Sequence, residues 1–389
     1  MTRVVHVVVA GEIGGAERML VDLACQEPHA HPVALLTPNP ALKRLFVDAG
    51  LRVHDGGPVR EGPLPFLWRS LGPRDADWVA SVLVRERASV AHLHTFASQV
   101  VGTRAAMRAG VPVLRTEHST RAFDDPSCWP FSRWSLRRAH ASVAISEHVR
   151  ARVVARAPWA DGKTRVVYDG VDTGRFAPVD DGRSEAASRH GLHQGERPWF
   201  RFVIAGRLEP RKGIDLAIDA LAVVPGARLD VVGDGKERRA LWKHTRARRV
   251  ADRVVFHGYM PDPRPVIARS SALLCSSRSE GLGISILEAM AMARPVVAFA
   301  VGGVREVVQH GSTGLLAEAG DVEALAVRMR EAMQAGTMLE EWGKAARERV
   351  VERFSVAAMR EGYAAAYEDV VWRTGETPLS GRGAHSPHE

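Results

Sequence analysis

Short β-branched apolar runs alternate with amphipathic stretches along this chain, and that alternation predicts a succession of βαβ units. In the first half the runs are VVHVVVA at 4–10, VALLT at 33–37, VAHLH at 90–94, PVLRT at 112–116, SVAIS at 142–146 and RVVY at 165–168, with a helix from about Ala16. A polar stretch from Asp180 to Pro198 interrupts the rhythm and reads as a linker. The rhythm restarts with FVIAG at 202–206, LDVVG at 229–233, VVFHG at 254–258, ALLCSS at 272–277 and PVVAF at 295–299. The predicted fold class is therefore α/β, with two doubly wound parallel sheets and a cleft between them. Ligands of such sheets bind outside the carboxyl ends of the strands. A last helical stripe, Met359, Tyr363, Tyr367 and Val371, needs a surface to cover it, and the tail after it reads as flexible.

Length agrees with this division, because 389 residues exceed what one hydrophobic core usually supports. The composition, 46% hydrophobic and 25% charged, is that of a globular protein. No apolar run reaches the length of a signal-peptide core or a membrane span. The three cysteines, Cys25, Cys128 and Cys275, are far apart and odd in number, which fits a reducing compartment. The expectation is a cytoplasmic protein. The net charge of +8 suits nucleic acid, an anionic membrane surface or a phosphorylated small molecule. With no zinc-finger spacing, no RNA-binding aromatic signature and no lysine block, nucleic acid is the weakest of the three.

Candidate chemistry gathers just after the strands. Gly11, Gly14 and Gly15 in GEIGGAER lie between the first strand and a helix, where backbone amides can approach a phosphate or simply make a tight turn. In AGRLEPRKG, Arg207 and Lys212 stand beside Gly206 and Gly213, two cations able to reach both phosphates of a diphosphate and neutralise charge on a leaving nucleotide. A solvated basic turn is the plainer alternative. SRSEGLGISILEAMAMARPVVA places Glu280 in a loop after the ALLCSS strand, opens a helix at Gly281 and Gly283, and carries Glu288 within it. Amides at such a helix start hold phosphate oxygens, and a carboxylate facing a nucleotide accepts hydrogen bonds from ribose or sugar hydroxyls. His92 and His94 have the spacing of a metal pair and His118 follows the next strand. With no third ligand evident, no metal is assigned.

These segments together resemble the retaining GT-B glycosyltransferases of family four. The resemblance rests on GGAER, HLH with the later His118, YDGVDTGRF at 168–176, GRLEPRKG, VVGDGKER, VVFHGYMP and above all EGLGISILEAMAMARPVVA, in order from about Val4 to Tyr367. It implies two Rossmann-like domains facing a central cleft. Residues 1–180 would bind the acceptor and be rejoined by a helix at 356–372. Residues 181–355 would bind the nucleotide-sugar donor, with 373–389 as a tail. It further implies that Arg207 and Lys212 hold the donor diphosphate and Glu288 the ribose. Glu280, with Leu282, Gly283 and Ile284, would hold the sugar and phosphates beside Gly206 and Gly233, while Gly15 lies under the diphosphate and His118 near the sugar and acceptor. No cofactor is implied, since the nucleotide-sugar, UDP-linked first of all, is a co-substrate. The leaving phosphate takes the acceptor proton.

Two positions depart from the family pattern: Leu282 stands where an aromatic residue often precedes the second glycine, and Asp169 where asparagine is commoner. The alternatives that remain are an epimerase of the same fold and a non-catalytic sugar-nucleotide-binding protein. The acceptor stays open between a small molecule, such as an aminocyclitol, and a lipid-linked glycan. Residues 56–75 are a candidate acceptor loop. Basic stretches at 132–140 and 148–159 leave a peripheral membrane face open, against the alternative of ordinary solvated helices. Oligomeric state is not legible.

Overall fold

All six residues of the first strand, VVHVVV, are buried, as a parallel strand covered on both faces requires. A computed structural model describes residues 2–27, 29–59, 68, 72–178, 199–373 and 375. The linker reading for 180–198, the tail beyond Arg373 apart from Gly375, and most of the candidate acceptor loop lie outside the described residues.

Among the described residues, seven strands form the first sheet: β1 Val4–Val9, β2 Val33–Leu36, β3 Val53–Asp55, β4 Val90–Leu93, β5 Val113–Glu117, β6 Ala141–Ala144 and β7 Thr164–Val166. Their order is β3-β2-β1-β4-β5-β6-β7, and every pairing is parallel. Six form the second: β8 Phe200–Ala205, β9 Ala227–Val232, β10 Val254–Gly258, β11 Ala272–Cys275, β12 Val296–Phe299 and β13 Gly314–Ala317. Their order, β10-β9-β8-β11-β12-β13, is again wholly parallel. Both sheets are doubly wound, so the strand order reverses once in each, between β1 and β4 and between β8 and β11. The crevice outside the carboxyl ends at such a reversal is the favoured ligand position. Each half has its own core; in the first, apolar residues of β1 and β4 pack with the helices Arg74–Arg85 and Phe96–Ala109.

The chain divides into two compact units: one runs to Ile145, takes in Val149–Val167 and resumes at Arg360; the other holds Ser146–His148 and Tyr168–Met359. The last helix, Val356–Arg373, buries Met359, Tyr363, Ala366, Tyr367 and Val370, while the expected Val371 is only half-buried. Val370 lies seven residues beyond Tyr363, two helical turns, whereas Val371 is rotated one step off that line. The strands β3 and β13 went unread, because VHD is too short and polar to make an apolar run and GLLA begins on a glycine.

Candidate functional site

In the second unit the loops after β8, β9, β11 and β12 meet backbone to backbone at the carboxyl edge of the sheet. Gly206 (φ 153°) and Gly233 (φ 138°) touch so closely that a Cβ on Gly233 would stand 1.9 Å from the Gly206 carbonyl oxygen. One on Gly213 (φ 58°) would stand 2.0 Å from the Ser276 oxygen. Only glycine permits both the dihedral and the approach. Gly213 ends a 3-10 turn, Pro210–Lys212, and caps the helix Ile214–Ala222, so the turn that carries Lys212 is pinned at the switch point.

Lys212 points its ammonium at Glu280. Nζ lies against Oε1 of the carboxylate, Ser277 Oγ donates to the same oxygen at 2.8 Å, and the Arg211 guanidinium stands 3.9 Å from Oε2. Glu280 is buried, and burial alone would raise its carboxyl. The Lys212 charge and hydrogen bond, Ser277 and Arg211 prevail and hold it below the usual carboxylate value. Arg207 is directed differently, pairing with Glu209 at 2.9 Å on a partly exposed side chain, and Glu209 also receives Arg211 Nε at 2.9 Å.

The next loop leads into the helix Ile284–Ala291, entered through Gly283 in the left-handed region (φ 99°). Leu282 is buried, so this departure from the family pattern acts as a core residue. Gly303 approaches the same loop, where a Cβ would stand 2.1 Å from the Gly281 oxygen, and its N–H donates to the Glu280 carbonyl at 3.2 Å. Ile284 begins the helix, and Glu288, half-buried, lies one turn on.

In the first unit, Gly15 is exposed and starts the helix Gly15–Ala24, while the amide of Gly14 before it donates to Glu17 Oε2 at 2.8 Å. His118 follows β5, whose last residue, Glu117, is fixed by a buried ion pair with Arg115 at 2.9 Å. The His118 ring is half-buried, but its Nε2 is buried and has no partner among the described residues; burial pulls this imidazole down to about 4. A third candidate ligand, not evident from linear spacing, stands beside His92 and His94. His6, 88 positions before His94, reaches them from β1, with ligand atoms of the three within 4.8 Å of one another. The parallel pairing of β1 with β4 sets His6 opposite His92, a contact that linear spacing does not show.

Two family models match the chain: Glycosyltransferase Family 4 over residues 13–175 and Glycosyl transferases group 1 over residues 193–349. The chain is 31% identical over 307 residues to alpha-maltose-1-phosphate synthase of Mycolicibacterium smegmatis, covering 71% of this chain and 78% of that protein. The chain belongs to the family four, group 1 glycosyltransferases. It is also 30% identical over 274 residues to 2-deoxystreptamine glucosyltransferase of Streptomyces kanamyceticus, covering 66% of this chain and 70% of the relative. The crystal structure of Anabaena HepE in complex with UDP and glucose superposes with a TM-score of 0.83 over 95% of this chain and all of that one; at 24% identity the likeness is one of fold. That fold is GT-B, two parallel-sheet α/β domains.

Within this glycosyltransferase the structure brings Gly206, Lys212, Gly233, Glu280, Leu282, Gly283, Ile284 and Glu288 together in one unit, with Arg207 there but turned to Glu209, and sets Gly15 and His118 in the other. The sequence reading missed Ser277, Arg211 and Glu209 around Lys212 and Glu280. Ser277 stands three residues before Glu280, a spacing that turns make useful, but nothing in the string SRSEG marks it out. Among the described residues no helix is long and apolar enough to cross a membrane.

Proposed function

We propose that this glycosyltransferase moves a sugar, with retention and without a bound metal, from a UDP-linked donor to a hydroxyl of a small polyhydroxylated acceptor. The observation that carries the reading is the glycine-pinned turn that aims Lys212 at buried, ionised Glu280 at a switch point of the second sheet. Lys212 and Arg207 would neutralise the charge that develops on the departing diphosphate, the role a metal plays in other transferases. Amides at Gly283 and Ile284 would take phosphate oxygens, Glu288 the ribose hydroxyls and Glu280 the transferred sugar. Gly15 and His118, from the first unit, would serve the diphosphate and the acceptor. The aminocyclitol named for the Streptomyces relative supports a small acceptor.

A lipid-linked acceptor is the second reading, favoured by a basic aromatic surface in the first unit. Arg138 lies over Trp134 at 4.6 Å, Arg156 over Trp129 at 5.3 Å, and Arg137 and Lys163 over Trp159 at 5.3 and 5.4 Å. Such a surface suits the headgroup region of an anionic bilayer.

Thermal-shift binding against UDP-, GDP- and dTDP-sugars, with and without chelator, tests the donor reading. Stabilisation by the UDP series, unaffected by chelator and lost in Glu288→Ala, is the expected result. No stabilisation by any nucleotide-sugar sinks it. Release of free nucleotide only with an acceptor present separates a transferase from an epimerase or a non-catalytic binder. Co-sedimentation with anionic vesicles decides between the two acceptor readings.

A further inference from the structure

Residues 234–249 hold seven lysines and arginines against two acids, a net +5 in a chain whose whole excess is +8. They lie in the connection from β9 to β10, with the helix Arg238–Ala247 at its centre. That helix buries Leu241 and Thr245. At about 100° per residue, Arg239, Lys243 and Arg246 fall on the opposite side, and all three are exposed. Trp242 flanks this line, 51% exposed, with the Arg246 guanidinium over its ring at 5.1 Å. Lys236 precedes the helix and Arg249 follows it, both exposed. Arg249 takes the left-handed position at the helix end (φ 56°), which glycine would fill without strain.

Carboxylates beside the helix are already engaged. Arg238 pairs with Asp234 at 2.8 Å, Arg248 with Asp219 at 2.7 Å, and His244 Nε2 lies 2.6 Å from the same Asp219 oxygen. Among the described residues, Lys236, Arg239, Lys243, Arg246 and Arg249 make no ion pair. Like charges one helical turn apart repel, so an anion from outside would relieve a tension that the unit itself leaves standing. None of the five belongs to the residues assigned to the donor or the acceptor.

The surroundings of the line select the anion. Of the large apolar side chains on this helix only Trp242 is free to enter a bilayer, since Leu241 is buried. Nucleobases stack on successive aromatic faces, and this segment offers a single ring with an arginine over it. Arg239, Lys243 and Arg246 rise about 6 and then 4.5 Å along the axis, the spacing of carboxylates at i, i+4 and i+7 on another helix. We propose that the outer face of the helix Arg238–Ala247 docks an acidic helical segment of a partner protein, whose carboxylates at that spacing meet Arg239, Lys243 and Arg246 while an apolar side chain packs on Trp242. Charges matched along a line give such a contact its register and its selectivity.

Fluorescence anisotropy with the full chain tests this. One labelled probe is an alanine-based helical peptide with glutamates at i, i+4 and i+7 and one leucine; the other has the same composition with the glutamates spread around the helix. The patterned peptide should bind about tenfold tighter than the scrambled one, and about tenfold weaker to the protein carrying Arg239→Gln, Lys243→Gln and Arg246→Gln together. That variant changes exposed side chains only and should keep the wild-type melting temperature and turnover. Lys243→Glu should lose the patterned peptide and recover binding to a version whose central glutamate is lysine, which non-specific attraction to a basic protein would not reproduce. Added UDP-glucose should leave the peptide affinity unchanged, so the result stands apart from the donor reading. Equal binding of the two peptides, unaltered affinity in the triple variant, or no binding of either peptide overturns the proposal. Tighter binding to phosphatidylglycerol vesicles or to an oligothymidylate, lost in the same variant, also overturns it and assigns the surface to lipid or nucleic acid instead.

Discussion

The Lys212 ammonium and the Glu280 carboxylate, 68 residues apart in sequence, form a pair at the switch point of the second sheet in which the carboxylate is buried and the lysine half-buried. Removing one partner of such a pair costs more than the pair contributes, because a desolvated charge remains. Lys212→Met should lower stability by about 2–3 kcal/mol, read as a fall in melting temperature, and Lys212→Met with Glu280→Gln should recover part of it. The pH dependence has a defined sign. Glu280 is depressed in the folded state, so its stabilisation is present above the unfolded carboxylate range and lost as pH falls through the folded value. The Lys212→Met variant should show less of this acid-side loss in melting scans from pH 7 to pH 3.

Arg207 should separate folding from function. Its side chain is partly exposed and ion-paired with Glu209, so Arg207→Ala should change stability by no more than about 0.5 kcal/mol. Donor affinity and kcat should fall together if, as proposed, this cation meets the charge of the donor diphosphate. Calorimetric titration with UDP and steady-state kinetics check this, and unaltered values for both would remove Arg207 from the site.

The glycines make a sharper demand. Gly302 has φ 49°, and a Cβ there would lie 2.0 Å from the backbone oxygen of Glu280. Backbone cannot swing aside as a side chain can, so Gly302→Ala should cost at least about 2 kcal/mol and displace the loop that presents Glu280. The expected readout is a lower melting temperature with a larger proportional loss of donor binding. Gly311→Ala is the control: φ is 76° there, with open space around the Cβ position, so strain is present without displacement of Glu280.

Much of this was legible because the relevant signals are local. Apolar runs of four to six residues marked β1, β2, β4, β8 and β11, since strands covered on both faces carry no polar alternation. The glycines around Lys212 and Glu280 signalled loops that approach one another, although not which loop meets which. What stayed hidden depends on register between distant strands. His6 reads as an intrusion in an apolar run, and only the pairing of β1 with β4 and β2 brings it between His94 and His31. Ser277 and Arg211 were missed for the same reason, being ordinary surface residues until the turn after β8 folds against the loop after β11.

Asp169 supplies the last prediction. It stands where the family more often has asparagine, it is buried, its Oδ1 has no partner among the described residues, and burial pushes its carboxyl up to about 7. A raised acid binds its proton more tightly in the folded state, so its contribution is fully present below the unfolded value near 3.8 and is lost as pH rises through about 7. Below that point the protonated carboxyl presents one O–H and one carbonyl, much as an amide presents N–H and carbonyl. Asp169→Asn should therefore match the wild-type melting temperature near pH 4. At pH 8 it should exceed it by an amount corresponding to about 1–3 kcal/mol, less than the roughly 4 kcal/mol that three pKa units allow. If the two proteins melt together at pH 8, the ionised carboxylate has a partner in solution and Asp169 is not held neutral by burial.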